Sequence, residues 1–286
     1  MSAFPSTTSS VRTGILCLAT GAAAFSIFDA FNKGMSDALP LAQRLWAYYL
    51  AFAATMALAV WHRGERGTWR SARPGLQIAR ALVLVVETGL FAASLRYIQL
   101  ADMQAVAAAS PLFVLAVSAP VLGEPVARRA WLAVALGFIG VLVVVRPGLR
   151  ELNLGYVLVL VGAALWAVYQ ILLRIVARHD SPSTTALWTA VAGAVALTTV
   201  GPFFWIWPDT RGWLMLAALA ACGTMGHVLY SIAFRLAPAA TLQPFGYLNL
   251  VFAIVWGWLV FSQFPDAWTI AGAALIVAAG IVALRE

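Results

Sequence analysis

The stretch Leu154–Arg178, LGYVLVLVGAALWAVYQILLRIVAR, is a membrane-length apolar helix with one interrupted face. Trp166, Tyr169, Gln170 and Leu173 fall at i, i+3, i+4 and i+7, so they share one side. The same four positions recur 141 residues earlier as Phe25, Phe28, Asp29 and Asn32 in TGILCLATGAAAFSIFDAFNKG. Gly14 then matches Gly155, and Lys33 matches Arg174. The chain restarts near residue 150. A stripe of aromatics alone reads as packing. A stripe that carries polar groups in both copies reads as the lining of a cavity.

A second correspondence is longer. RYIQLADMQAVAAASPLFVLAVSAPVLGEP, from Arg96, lies over RLAPAATLQPFGYLNLVFAIVWGWLVFSQFP, from Arg235. It matches Gln104 with Gln243 and Glu124 with Gln263. Ten apolar spans can be drawn at roughly 12–33, 41–61, 75–98, 101–122, 128–146, 153–177, 183–206, 212–236, 239–262 and 266–284. Each is about 20 residues, the length that crosses a hydrocarbon core of ~30 Å. Prolines and charges mark most boundaries. Five spans per copy is an odd number, so the second copy must enter the membrane from the opposite side. The expected fold is an all-α membrane protein of ten transmembrane helices in two inverted five-helix repeats, residues 12–150 and 151–286, after a disordered Ser/Thr-rich tail at 1–11. Arg12 and Ala22-Ala23-Ala24 could mark a cleaved signal peptide, but the repeat continues past that point to Lys33, so the helix is read as retained.

Composition agrees. Hydrophobic residues make up 63% and charged residues 10% of the chain, whereas soluble domains are about half apolar and a quarter charged. Cys17 and Cys222 sit inside apolar runs, so neither a disulfide framework nor a metal site is expected. The net charge of +7 is scattered between apolar spans, without a basic helix or aromatic RNA platform. It fits the positive-inside rule rather than nucleic acid. With the N-terminus inside, inner segments hold Arg12, Arg63, Arg66, Arg70, Arg73, Arg128, Arg129, Arg174, Arg178, Arg235 and Arg285. Outer segments hold Lys33, Arg44, Arg96, Arg146, Arg150 and Arg211. Both termini are thus expected in the cytoplasm, with the chain in the cell inner membrane. No HExxH, GxSxG or CxxC is present, so neither an enzyme nor a cofactor is expected.

The FDAFNKG that ends the first span, and GEP followed by GFIGVLVVVRP after the fourth, resemble the EamA-type branch of the drug/metabolite transporter superfamily over residues 13–285. LWAVYQ in the sixth span and VVETGLFAASL in the third are most similar to YddG-type exporters of aromatic amino acids. The sequence departs from the family at Phe25, where a tryptophan is common. Ser110 precedes Pro111 where a bulky aromatic can stand, and Gln263 replaces an acidic residue. The resemblance implies a secondary transporter that exports amino acids by alternating access. Its partners would be aromatic and other neutral amino acids, related flat or cationic metabolites, and the lipid bilayer. The chain would be a monomer or weak homo-oligomer. An exporter of another metabolite class and a passive channel are the alternatives.

Residues placed for substrate follow from chemistry. Glu87 lies mid-span, where an ionised carboxylate costs about 3 kcal/mol on insertion scales. It is the candidate for meeting an ammonium or carrying the coupling proton, against the alternative of a carboxyl bonded to Thr88. His227 holds the matching zone of the eighth span and shares a face with Tyr230 and Ser231. Asp29 and Lys33, four apart, are expected to pair with each other. Gln243 and Tyr247 share a face of the ninth span, with Asn249 pointing elsewhere or lying deeper; Pro244 and Gly246 loosen that helix, as Pro111 and Pro120 do the fourth. Phe25, Trp166 and Tyr169 complete the aromatic wall. Spans 5 and 10 carry small residues and few polar ones, and are expected as peripheral packing helices. Spans 1–4 and 6–9 would then build the cavity.

Overall fold

The computed structural model describes residues 8–64, 66–110, 113–114, 128–146, 153–237, 242, 245–246 and 248–284. Among them are ten α-helices, two 3-10 turns and no strands: α1 Thr8–Gly34, α2 Leu41–His62, α3 Pro74–Ser94, α4 Leu100–Ala107, α5 Arg128–Val145, α6 Leu154–Val176, α7 Pro182–Thr198, α8 Thr210–Leu236, α9 Leu248–Phe261 and α10 Ala267–Leu284. Five of these (α1, α2, α3, α6 and α8) are long and apolar enough to cross a membrane. Their outward faces are apolar: Leu16 of α1, Leu58 and Trp61 of α2, Val86 of α3, Val157 of α6 and Leu214 of α8 are all exposed. That is the surface of a chain solvated by lipid, with tryptophans at its ends.

The helix ends follow local chemistry. Ser181 caps α7 by accepting from the Thr184 amide, Asp209 caps α8 through Gly212, and Asn153 caps α6 through Gly155. Pro74 and Pro182 open α3 and α7, where a missing N–H costs nothing. The helix α1 begins at Thr8, inside the stretch expected as a tail. The seventh span is divided. Thr198 and Thr199 turn their hydroxyls back onto Ala194 and Ala196 carbonyls, and Gly201-Pro202 carries the chain into a 3-10 turn over Gly201–Phe204. Pro111, Pro120, Gln243, Pro244 and Tyr247 lie outside the described residues.

The helices pair across the molecule. The most extensive contacts join α1 to α8, α5 to α10, α3 to α6 and α2 to α7. Small residues set the closest approaches: a Cβ on Gly140 of α5 would lie 2.9 Å from the Gly272 carbonyl of α10, and one on Gly272 2.7 Å from that of Gly140. These two helices are packing helices, as their composition implies. Between α2 and α7, Tyr48, Tyr49 and Phe52 fill one core against Leu187, Ala190 and Ala194.

Polar ties fix which ends lie together. Lys33 Nζ donates to the Leu95 and Ile98 carbonyls at 3.3 and 3.0 Å, joining the end of α1 to the α3–α4 connection. Asn153 Nδ2 reaches the Tyr97 carbonyl at 2.9 Å. Asp102 accepts from Tyr156 of α6 at 3.0 Å and Thr269 of α10 at 2.8 Å. Gln43 clamps Ile206 with both amide atoms, at 2.6 and 2.9 Å. The α1–α2, α3–α4, α7–α8 and α9–α10 connections therefore share one face with the start of α6. Arg146 and Asp266, on that face, form the single ion pair among the described residues, 2.5 Å apart. On the opposite face Asp180 accepts from Ser71 Oγ, the Ala72 amide and Gln77 Nε2, at 2.5, 2.9 and 2.8 Å, which ties α2–α3 to α6–α7. Partial burial would raise the Asp180 carboxyl, but these three donors outweigh it and hold the group below its usual range.

The α2–α7 seam leaves no room at Gly193, where a Cβ would sit 2.2 Å from the Tyr49 ring. Gly193→Ala is expected to cost ~1–3 kcal/mol by overpacking and to lower the thermal unfolding temperature in detergent. Gly89→Ala on α3, whose nearest neighbour would be 3.7 Å away, gains helix propensity and is expected to leave that temperature unchanged or raise it.

Candidate functional site

A cavity of about 110 Å³ lies at the centre of the bundle. This is on the order of the ~150 Å³ space that admits a single benzene ring. Phe25, Phe28 and Asp29 reach it from α1, and Glu87, Thr88 and Phe91 from α3. Gln104 comes from α4, Trp166 and Gln170 from α6, His227 and Tyr230 from α8, and Asn249 from α9. Helices α2 and α7, expected to join the lining, instead stand behind it. Their inward faces are spent on each other, and Phe52 of α2 stacks on the back of the His227 ring at 5.6 Å.

Aromatic rings make the floor and walls. Phe25 meets Trp166 edge-on, with centroids 6.4 Å apart and planes at 87°. It also meets His227 at 4.8 Å and Tyr230 at 5.1 Å, both edge-on. The glycine at 226 permits this, since a Cβ there would lie 2.8 Å from the Phe25 ring. Edge-to-face contacts of this kind favour a fixed arrangement of rings by ~1 kcal/mol each. The two copies of the repeat position thus face each other across one space.

Two carboxylates open onto that space. Asp29 Oδ2 accepts from Gln104 Nε2 at 2.7 Å. Glu87 Oε2 accepts from the Thr88 hydroxyl at 3.0 Å. The expected Asp29–Lys33 pair does not form: Lys33 turns to the Leu95 and Ile98 carbonyls, and Gln104 takes Asp29 instead. Bonding to carbonyls at the helix end satisfies the ammonium without drawing it into the apolar slab. Among the described residues no lysine or arginine lines the cavity. His227 is buried with Nδ1 unpartnered among the described residues, while its carbonyl accepts from Ser231 at 2.8 Å. Asn249 and Tyr230 both line the cavity, and Asn249 Oδ1 has no partner among the described residues. Asn249, expected off the Gln243–Tyr247 face or deeper, lines this wall.

Of the residues singled out in the sequence, Phe25, Glu87, Trp166, His227, Tyr230 and Asn249 come together. Tyr169 does not line the cavity. It is 2% exposed, stacked under Trp166 at 5.1 Å, with the Arg80 guanidinium 5.2 Å over its ring. Gln243 and Tyr247 lie outside the described residues. Gln104, Thr88 and Phe91 were not anticipated as site residues, and Gln170 was read as lining without a role in binding. Gln170 and Phe28 stood on the repeated stripe, and Gln104 was the first member of a matched glutamine pair. Arg80 was also missed. It is fully buried one heptad before Glu87, and its Nη2 donates to Gln77 Oε1, the Thr185 carbonyl and Thr189 Oγ1 at 2.8, 3.0 and 2.7 Å. An intramembrane arginine is itself a signal of a buried polar seam.

Among the described residues no three His, Cys, Asp or Glu side chains are grouped to hold a metal. What the arrangement can do is enclose a ring, oppose a cation with two carboxylates, and offer neutral donors on the other side.

The EamA-like transporter family profile matches the chain twice, over residues 12–146 and 153–285. A riboflavin transporter of Brucella anthropi is 26% identical, covering 84% of this chain and 86% of its own length. A pseudopaline exporter of Pseudomonas aeruginosa is 28% identical over 96% of this chain and 97% of that one. An S-adenosylmethionine uptake transporter of Rickettsia prowazekii is 25% identical over 73% and 71%. One crystal structure superposes with a TM-score of 0.66 at 20% identity, covering 96% of this chain and 97% of the other, which is a likeness of fold. The two matched segments span nearly the whole sequence, and the chain belongs to the EamA-like transporter family, as a multi-pass membrane transporter and not an enzyme.

Proposed function

We propose that the protein is a secondary transporter that exports aromatic and other neutral amino acids by alternating access across the inner membrane. The observation that carries this reading is the electrical division of the central cavity. Both carboxylates, Asp29 and Glu87, come from the first half of the chain. The second half supplies Gln170, His227 and Asn249, which are neutral or can donate. A zwitterion fits this division, with its ammonium toward Asp29 and Glu87, its carboxylate toward the second half, and its ring among Phe25, Trp166 and Tyr230. The ring-sized volume supports an aromatic side chain. The resemblance to YddG-type exporters points the same way.

The relatives favour a second reading, in which the ring belongs to a larger metabolite. Riboflavin and S-adenosylmethionine, named for two of them, each carry a fused ring system. Such a solute needs more room than this state of the cavity offers, so it requires Phe25 or Trp166 to move.

For the scaffold, we propose two inverted five-helix repeats, residues 12–150 and 151–286. Exchanging α1 with α6, α2 with α7, α3 with α8, α4 with α9 and α5 with α10 turns the α1–α8 contact into α6–α3. It also turns α1–α9 into α6–α4 and α3–α7 into α8–α2, and all of these contacts exist. The α2–α7, α4–α9 and α5–α10 contacts map onto themselves. That is how a two-fold exchange of halves packs, and the two family matches fall on the same division. The arginine distribution supports cytoplasmic termini. Single cysteines placed at Asp37 and Asp209 are then expected to react with an impermeant thiol reagent from outside, and one at Arg70 only after permeabilisation. The reverse pattern excludes this orientation.

Two substitutions test the chemistry in proteoliposomes loaded with labelled amino acids. Glu87→Gln removes the carboxyl and keeps the shape. It is expected to abolish transport driven by a proton gradient while leaving solute exchange; a full response to the gradient would remove Glu87 from coupling. Trp166→Ala removes the ring contact, worth ~1 kcal/mol beyond burial, so phenylalanine and tryptophan transport is expected to fall about 5-fold or more relative to that of threonine and alanine. An equal loss for all four makes Trp166 a packing residue.

A further inference from the structure

A second cavity, of about 580 Å³, opens on the face that carries the α1–α2, α3–α4 and α7–α8 connections. Its wall includes Asp37, Arg44, Arg96, Tyr97 and Ile206. Arg44 is only 3% exposed. Its Nη1 donates to the Asn32 carbonyl and to Asn32 Oδ1, while Nε is buried without a partner among the described residues. A buried charge-bearing donor without an acceptor is costly, and it costs least where a ligand can supply the acceptor. Arg96 stands exposed on the same wall.

The wall is fixed from both sides. Gln43, next to Arg44 on α2, clamps Ile206, and Lys33 holds the α3–α4 connection that follows Arg96. Two guanidinium groups there stand with one carboxylate, Asp37, whereas the central cavity has two carboxylates and, among the described residues, no lysine or arginine. The two spaces are close along the chain. Asn32, which holds Arg44, lies one turn beyond Asp29 on α1.

We propose that this vestibule is a second binding site, which takes the carboxylate of a small solute through Arg44 and Arg96. A guanidinium fork matches a carboxylate in a way a lone ammonium does not. A lipid phosphate shares this chemistry. Arg44 is buried with its Nη1 on Asn32, and Asp37 shares the wall and would repel a phosphate of higher charge, so a small free carboxylate is the occupant that fits. The site stands on its own geometry; its role as a station next to the central cavity rests on the reading of the protein as an amino-acid exporter.

The test uses the full-length protein with Cys17 and Cys222 replaced by alanine and a single cysteine at Ala93, on the vestibule wall. Alkylation by N-ethylmaleimide is timed in phosphatidylcholine vesicles with benzoate, with benzylamine, and with neither. Benzoate is expected to slow the reaction at least 3-fold and benzylamine to leave it unchanged. Arg44→Gln and Arg96→Gln are each expected to remove the protection. Should Arg44→Gln fail to fold for want of its Asn32 bonds, the exposed Arg96→Gln decides. Absence of protection by benzoate, equal protection by benzylamine, or protection that survives Arg96→Gln overturns the proposal. So does protection that phosphatidylglycerol vesicles give without benzoate, since the occupant is then a lipid. Protection by benzoate in a protein that carries no phenylalanine keeps the site and removes the amino-acid reading. Phenylalanine transport without benzoate protection removes the site alone.

Discussion

Arg80 sits fully buried where α3 crosses α7, with three acceptors for one of its nitrogens and the Tyr169 ring under its plane. In hydrocarbon an unpaired guanidinium or backbone group has nowhere to find a partner, at a cost of several kcal/mol. The rest of the architecture follows from that constraint. Each polar side chain in the slab must lie on a seam between helices, and each seam must bring its partner along. Asp29 finds Gln104, Asp102 finds Tyr156 and Thr269, and Lys33 finds the carbonyls that α3 leaves unbonded at its end. The helices are otherwise apolar on all sides, and dispersion alone would leave their rotation loosely set. The polar ties set it.

The central cavity is one place where this rule is only partly met. His227 Nδ1 and Asn249 Oδ1 have no partner among the described residues, and Glu87 has only the hydroxyl of its own neighbour. Groups left in that state within an apolar slab are expensive unless water or a solute completes them. Asp180 nearby is fully engaged by three donors, whereas Arg80 has acceptors for Nη2 and none for Nε and Nη1 among the described residues. The atoms left open in the cavity differ in lining a space that a solute can enter.

Much of this was legible in the sequence, and for a definite reason. A helix that must face lipid on one side writes its inward face as a stripe, so Phe25, Asp29, Trp166 and Gln170 could be read as lining from their spacing alone. The duplication doubled the signal, since Phe25 and Trp166 were matched before either was placed, and they meet at 6.4 Å. Rotation about a helix axis was not legible where the stripe was short. Tyr169 follows Trp166 by three residues, yet it turns under the tryptophan to meet Arg80, because a phenol ring serves a buried guanidinium better than it serves a cavity. Spacing put Asn249 off the Gln243–Tyr247 face without saying where it pointed, and it lines the cavity with Tyr230. Partner choice was the other gap. Asp29 and Lys33 have the spacing of an intrahelical pair, but a contact of that kind competes with Gln104 and with free carbonyls on other helices, and sequence spacing holds no information about those.

The distribution of charge along the proposed route carries the argument one step further. The central cavity offers two carboxylates and, among the described residues, no lysine or arginine, and the vestibule one turn beyond Asp29 offers two arginines and one aspartate. A solute with a single charge would be held at one station and repelled at the other. A zwitterion meets an attractive group at both, by its ammonium first and its carboxylate second. Its affinity at each stays modest, because each station engages only one of its charged ends. Sites that bind weakly in sequence let a solute leave as readily as it enters, which a single strong site would prevent. On the proposed reading, the two cavities would select for solutes that carry both charges, without either one having to discriminate sharply.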